Sequence, residues 1–187
     1  MFPAFLNLAT KKVVVVGGGP VAYGKVQGLL EAGARVTVVA PEIVDALASA
    51  DVHLVRRPFE PADLDGAWWV VAAATPEVNR DVRAAADLRH IFVNAVDDPI
   101  NASAYLGGVV RRDGLVVAFS TDGRAPALSG LLREAFDAWL PQDLDRWMAA
   151  ADLARAEWRR GQVPMTERRP RLLAVLNELY EGAGQAR

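Results

Sequence analysis

The run Gly17-Gly18-Gly19-Pro20-Val21-Ala22 carries the clearest chemical signal in the chain. It matches G-x-G-x-x-A, a pattern that seats the diphosphate of a dinucleotide. Gly17 permits a tight turn. Gly19 lets the backbone approach the diphosphate. The small Ala22 lets a following helix pack closely on the preceding strand. Pro20 suits the first helical turn, where its missing N–H costs nothing. The diphosphate would rest on the helix N-terminus, where free N–H groups and the helix dipole favour an anion. An acid about 20 residues further on ordinarily bonds the ribose hydroxyls. That place is Ala40, followed by Pro41 and Glu42. Glu42 is the candidate ribose contact, and a loop or helix-start acid is its alternative reading. An acid there with no neighbouring base favours NAD over NADP.

A second candidate is Asp97, in Asp97-Asp98-Pro99 at the end of an apolar run. Ligands of open α/β sheets lie beyond the carboxyl ends of the strands. A carboxylate there can take a proton. The same three residues also read as a turn, with Asp97 as an Asx-type cap. His53 and His90 read as structural or surface residues, and Trp68 and Trp69 as core or interface.

These groups need elements to hold them. The chain has 187 residues, enough for one domain with an appendage or for two small domains. It has no cysteine and two histidines, which removes disulfides, thiol nucleophiles and three-histidine metal sites. No metal-ligating set is expected. The net charge of −2 argues against a nucleic-acid partner. The basic residues are 18 arginines and 3 lysines, together the 21 counted. No apolar run approaches the roughly 20 residues of a membrane span, and no leader pattern opens the chain, so a cytoplasmic protein is expected.

Val13–Val16 reads as a strand, Pro20–Glu31 as a helix closed by Gly33, and Arg35–Ala40 as a second strand. Together they make a βαβ unit with a parallel pair. Val52–Val55, Trp68–Ala73 and Ile91–Ala95 read as further strands, with a helix over Glu77–Leu88. Val109–Arg112 and Leu115–Phe119 read as a hairpin around Asp113-Gly114. From Pro126 the chain turns helical. Leu128, Leu131, Leu132, Ala135, Phe136 and Trp139 form an apolar stripe, read as core packing or a dimer seam. Two more helices are expected over about 143–160 and 166–181.

Several segments, in order, resemble one family. They are FPAFLNL, VVVVGGGPVAYGKVQGLLEAGARVTVVAPE, VVAAATPEVN, IFVNAVDDP, VVRRDGLVVAFSTDGRAPALSGLLREAFDAWLP and ERRPRLL. The chain is similar to the precorrin-2 dehydrogenase/sirohydrochlorin ferrochelatase family, the N-terminal module of siroheme synthases. No counterpart of the fused methyltransferase domain is seen, so the stand-alone form is expected. The resemblance implies an α/β fold: a Rossmann-like parallel-sheet domain over 1–107, a dimerisation region over 108–141 and a small helical domain over 142–187. It implies a homodimer that oxidises precorrin-2 to sirohydrochlorin with NAD. In some members ferrous iron is then inserted. By motif match, NAD would contact Gly17, Gly19, Pro20, Val21 and Ala22, then Pro41, Glu42 and Thr75. The family's functional aspartate matches Asp97. The polycarboxylate tetrapyrrole needs cationic contacts, for which Arg111, Arg112 and Arg124 lie in matched segments.

The sequence departs from the family in two places. Its S-x-G-G-x-S-P stretch is here Ser120 to Pro126, with Asp122 for a glycine and Ala125 for the serine that would cap the next helix. Its Phe-x-x-Pro is here Ala104-Tyr105-Leu106-Gly107. These departures motivate an alternative, a non-catalytic dimeric NAD- or tetrapyrrole-binding module. The nucleotide-sensing domain of a potassium-uptake regulator shares the βαβ start. Ala40 and the FSTDGRAPA match argue against it.

Overall fold

Val13–Val16 are four consecutive β-branched residues, a run that favours a strand buried on both faces. In the computed structural model, which describes residues 1–121 and 124–181, they complete β1 (Lys12–Val16). All four valines are buried. β1 lies at the centre of a five-stranded sheet with β2 (Arg35–Val39), β3 (His53–Val55), β4 (Trp69–Ala72) and β5 (Phe92–Ala95). The order is β3-β2-β1-β4-β5 and every pairing is parallel. The expected Rossmann-like sheet is therefore present. Its order reverses between β1 and β4, the switch point at which such sheets open a crevice.

Alternate residues of β1 serve two cores, as strand geometry requires. Val13 and Val15 pack with Ala22 and Val26 of helix α1 (Pro20–Glu31) and with Val36 and Val38 of β2. Val14 and Val16 pack on the other face with Val82, Ala85 and Ala86 of the later crossover helix α3 (Pro76–Asp87). The helix α1 stops in a Schellman motif: Gly33 N–H donates to Leu30 O and Ala34 N–H to Leu29 O, at 2.8 and 3.0 Å. Gly33 adopts the required left-handed conformation, φ +72°.

The sheet's outer strand β5 is covered rather than left open. Ser103 Oγ accepts from Val93 N–H at 2.8 Å, and the Ser103 and Ala104 N–H groups donate to Val93 O. Covering an edge in this way blocks pairing with another chain.

The described residues divide into two compact units, 1–106 with 124, and 107–121 with 125–181. In the second unit, β6 (Gly108–Arg112) and β7 (Leu115–Phe119) form an antiparallel hairpin. Asp113 and Gly114 both have positive φ, +48° and +85°, as a two-residue hairpin turn requires. Three helices follow, α4 (Pro126–Trp139), α5 (Leu144–Arg160) and α6 (Met165–Glu181). Val110, Leu140 and Leu144 centre a core joined by Phe119 and Phe136, whose rings meet edge to face at 5.6 Å. Tyr180 ties α6 to the start of α5, donating to Asp143 Oδ1 at 3.2 Å and accepting from Trp147 Nε1.

Several expectations shift. The third strand begins at His53 and the fifth at Phe92. Trp68 lies outside β4, exposed, with Lys11 Nζ 4.0 Å from its ring centroid. Its neighbour Trp69 is buried. A one-turn helix α2 (Asp45–Ala48) and a 3-10 turn (Pro61–Leu64) were not expected, because four residues give no periodic signal. The stripe on α4 splits: Phe136 enters the core, whereas Leu128, Leu131, Leu132 and Trp139 are exposed.

Two departures from the family pattern have local reasons or substitutes. A Cβ on Gly107 would overlap the Phe119 carbonyl, so no proline fits there. At Ala125 the helix α4 has no side-chain cap. Thr121 Oγ1 instead accepts from Ala125 N–H at 3.1 Å and from Ser129 Oγ at 3.3 Å. Asp122 lies outside the described residues.

Gly33→Ala tests the α1 terminus. The added Cβ would find ordinary contacts near 3.6 Å, so the cost is conformational alone. Thermal or denaturant unfolding should show a loss of about 1 kcal/mol, the left-handed penalty of a non-glycine residue.

Candidate functional site

At the switch point three backbones converge. Gly17 follows β1 with φ +126°, and a Cβ there would overlap the Ala73 carbonyl beyond β4. A Cβ on Gly18 would overlap the Glu42 carbonyl beyond β2. Gly18 O also accepts from Val44 N–H at 2.9 Å, which fastens the β2–α2 loop to the turn. Gly19 differs: among the described residues, apart from its chain neighbours, nothing lies within 4 Å of where a Cβ would be. The first two glycines are thus needed by the protein itself. The third leaves open space, the room that a close-lying diphosphate requires.

Gly19 is the N-cap of α1, with no side-chain cap, and the first turn carries no acid. By contrast α3 has Glu77 in its first turn. The N–H of Glu77 itself and the Thr75 hydroxyl hold the Glu77 carboxyl below its ordinary range. The positive end of α3 is therefore met by its own side chain, while α1 leaves its amides to an external anion.

Beside this turn lies a cleft of about 390 Å³. Gly17, Pro41, Glu42 and Thr75 line it, joined by Gly18, Val39, Pro58, Phe59 and Val78. Its walls are mostly apolar, suited to a flat base, and the exposed Glu42 is among its lining residues. Phe59 is delivered by a loop that Arg57 braces. Its guanidinium grips the Asp63 carboxylate with two hydrogen bonds, 2.9 and 2.6 Å, and a third reaches Pro58 O. Open space at Gly19, an uncapped helix terminus and an apolar cleft bordered by an acidic residue fit a dinucleotide.

Of the residues singled out by sequence, Gly17, Pro41, Glu42 and Thr75 line the cleft. Gly19, Pro20 and Val21 begin α1, with Val21 exposed, and Ala22 is fully buried against β1. Gly18, Pro58, Phe59 and Val78 were not anticipated. Gly18 occupies the free position of the motif, and the triple glycine was its only signal.

Asp97 follows β5, at the same carboxyl edge of the parallel sheet. It is exposed, with φ +55°, and its carboxylate has no partner among the described residues. Aspartate is among the side chains that tolerate this region best. Its neighbour Asp98 is tied down, accepting from Asn101 Nδ2 at 2.8 Å and Asn79 Nδ2 at 3.2 Å. The Asn101 bond, opposed by partial desolvation and aided by Asn79, holds the Asp98 carboxyl below the usual carboxylate range.

The arginines differ. Arg111 and Arg124 are exposed. Arg112 is engaged at the end of α4, donating to Asp137 Oδ1 at 2.6 Å, Asp137 O at 2.9 Å and Leu140 O at 3.4 Å.

Two measurements follow. Gly19→Ala should melt near the wild-type temperature yet bind NAD at least about tenfold more weakly by calorimetry, since the methyl group occupies diphosphate space. Gly18→Ala should lose stability as well, because its methyl collides with backbone. For Asp98, a depressed folded pKa means that the unfolded state binds more protons at acid pH. Its contribution is present above the unfolded value of about 4 and lost as pH falls through the folded value. The stability gap between wild type and Asp98→Ala should be flat above about pH 5 and shrink below it.

Comparison with known proteins agrees with this geometry. A family model described as "Putative NAD(P)-binding" matches residues 4–108. Siroheme synthase 1 of Aeromonas salmonicida is 44% identical over 172 residues, which cover 89% of this chain and 37% of that protein. The siroheme synthase of Salmonella arizonae is 40% identical over 172 residues, covering 89% and 38%. The chain thus spans under two-fifths of these relatives' length. Among solved structures, "SirC, precorrin-2 dehydrogenase" has the same fold, with a TM-score of 0.71 at 23% identity over 94% of this chain and 89% of that one. Among the described residues no helix is long and apolar enough to cross a membrane. With its glycine turn, cleft and sheet all inside the matched span, the chain belongs to this NAD(P)-binding family.

Proposed function

We propose that this chain oxidises precorrin-2 to sirohydrochlorin with NAD, as one step of siroheme synthesis. The observation that carries the reading is the single carboxyl edge shared by the glycine turn after β1 and Asp97 after β5. The siroheme synthase relatives support the substrate class.

The oxidation removes a hydride and a proton from the tetrapyrrole. When bound, the nicotinamide supplies the hydride acceptor. Gly17, Gly19, Pro20 and Val21 hold the diphosphate at the N-terminus of α1, and Ala22, buried against β1, keeps that terminus close to the strand rather than touching the ligand. Pro41, Glu42 and Thr75 border the adenosine, with Glu42 on the ribose hydroxyls. A carboxylate at that place disfavours a 2′-phosphate, which selects NAD over NADP. Asp97 takes the proton. Its exposed carboxylate, without a partner among the described residues, is suited to that task. Arg111 and Arg124 meet substrate carboxylates, while Arg112 would join them only by leaving Asp137.

Ferrous iron insertion into the product is a second activity of the same site. It needs a base for the pyrrole N–H protons, again Asp97. The exposed Leu128, Leu131, Leu132 and Trp139 on α4 support a homodimer through residues 108–141, since a cluster of large apolar side chains favours burial. The other reading, a binding module without turnover, draws on the sequence departures at Ala104, Gly107, Asp122 and Ala125.

Mixing the protein with precorrin-2 and NAD should give sirohydrochlorin absorbance and equimolar NADH. Asp97→Ala should lower turnover by at least about a hundredfold, at the lower end of the range for a positioned base, while NAD still binds. NAD binding by wild type with no NADH formed would leave the binding module. Subsequent addition of ferrous iron tests insertion.

A further inference from the structure

We propose that Asn79 and Asp98 are positioning residues, a bridge that clamps the Asp97 turn to the wall of the nucleotide cleft. The inference rests on the reading of Asp97 as the proton acceptor.

Asn79 lies in the first turn of α3 and is only 2% exposed. Its helix neighbours Val78, Val82 and Ala86 pack into an aliphatic core. A buried carboxamide is costly there unless both of its ends are paired. Both are. Asn79 Oδ1 accepts from Ala74 N–H at 3.2 Å, and Nδ2 donates to Asp98 Oδ2 at 3.2 Å. Ala74 lines the cleft, next to Thr75. Asp98 directly follows Asp97. One side chain therefore joins the segment after β4 to the segment after β5.

The far end of the bridge is fixed independently. Asp98 Oδ2 also accepts from Asn101 Nδ2 at 2.8 Å, and Asp98 O from Asn101 N–H at 3.2 Å. On the other side of Asp97, Val96 N–H donates to Ala72 O at 2.9 Å and ends the sheet ladder. Asp97 thus stands between two anchored neighbours with φ +55°. An aspartate released from such a turn returns to the extended or helical regions, which are lower in energy for an L-residue. Its carboxylate would then point elsewhere. The bridge holds the conformation that presents it, and does so from the cleft wall, so nucleotide in the cleft and the orientation of the base are coupled. Displacement of a catalytic group by about 1 Å costs on the order of a hundredfold in rate.

The test uses the full chain with precorrin-2 and NAD. Asp98→Ala removes the acceptor, and Asp98→Asn retains an oxygen in the same place. Asp98→Ala should lower kcat by at least about tenfold. The KM for precorrin-2 should stay within about twofold, and the calorimetric affinity for NAD should fall by no more than the factor by which NAD slows exchange in wild type. Asp98→Asn should recover most of the rate. A lowered melting temperature with unchanged kcat, or a loss that the asparagine does not recover, overturns the proposal. If Asp98→Ala does not fold, Asn101→Ala replaces it with the same readouts and a smaller loss. A readout independent of turnover is amide exchange across residues 97–101. Saturating NAD should slow it in wild type and leave it unchanged in Asp98→Ala. Absence of NAD-dependent protection in wild type overturns the bridge. Lack of turnover by wild type with that protection intact overturns only the assigned reaction.

Discussion

The carbonyl oxygens of Ala73 and Glu42 lie where side chains of residues 17 and 18 would be. The sheet unit is organised around that close approach. It lets the ends of β1, β2 and β4 meet at one point, which no residue larger than glycine permits. It also turns the chain into α1 so that the free amides of that helix open beside the meeting point. The cleft is the space left around this junction, bordered by Pro41, Glu42, Thr75 and Phe59. Nucleotide binding and sheet assembly therefore share one constraint, and separating them experimentally requires Gly19, the only one of the three glycines whose surroundings are empty.

From that junction the structure reaches the reacting groups through short polar links. Arg57 and Asp63 hold the loop that carries Phe59. Asn79 and Asp98 join the cleft wall to the turn of Asp97. Each link is a side-chain bridge between segments that no ladder connects, and each has paired ends, so burial costs it little. The aliphatic cores on either face of the sheet give stability. The links give geometry.

Much of this was legible in the residues. Four valines in a row followed by three glycines and a proline specify strand, turn and helix with little competition, and Gly33 marks the end of the helix. The matched segments, once recognised, extend the expectation to Thr75 and Asp97. What could not be read depends on contacts between distant residues. The motif leaves position 18 free, yet Glu42, 24 residues on, makes it a glycine. Asn79 looks like any polar residue on an amphipathic helix until Asp98 is brought beside it. Pro58 and Phe59 lie in a stretch with no periodicity. Trp68 and Trp69 are adjacent and chemically alike, yet one is exposed and the other buried, because successive residues of an extended chain face opposite ways. The stripe on α4 gave no sign of how it would divide between core and surface.

The most direct measurement is a structure of the chain with NAD and the tetrapyrrole bound together. The diphosphate should lie on the amides at the start of α1, against Gly19, with the ribose hydroxyls at Glu42. The Asp97 carboxylate should face the tetrapyrrole carbon that loses its proton, still tethered through Asp98 to Asn79. A dinucleotide seated away from the glycine turn, or a tetrapyrrole bound with Asp97 turned to solvent, would contradict the account.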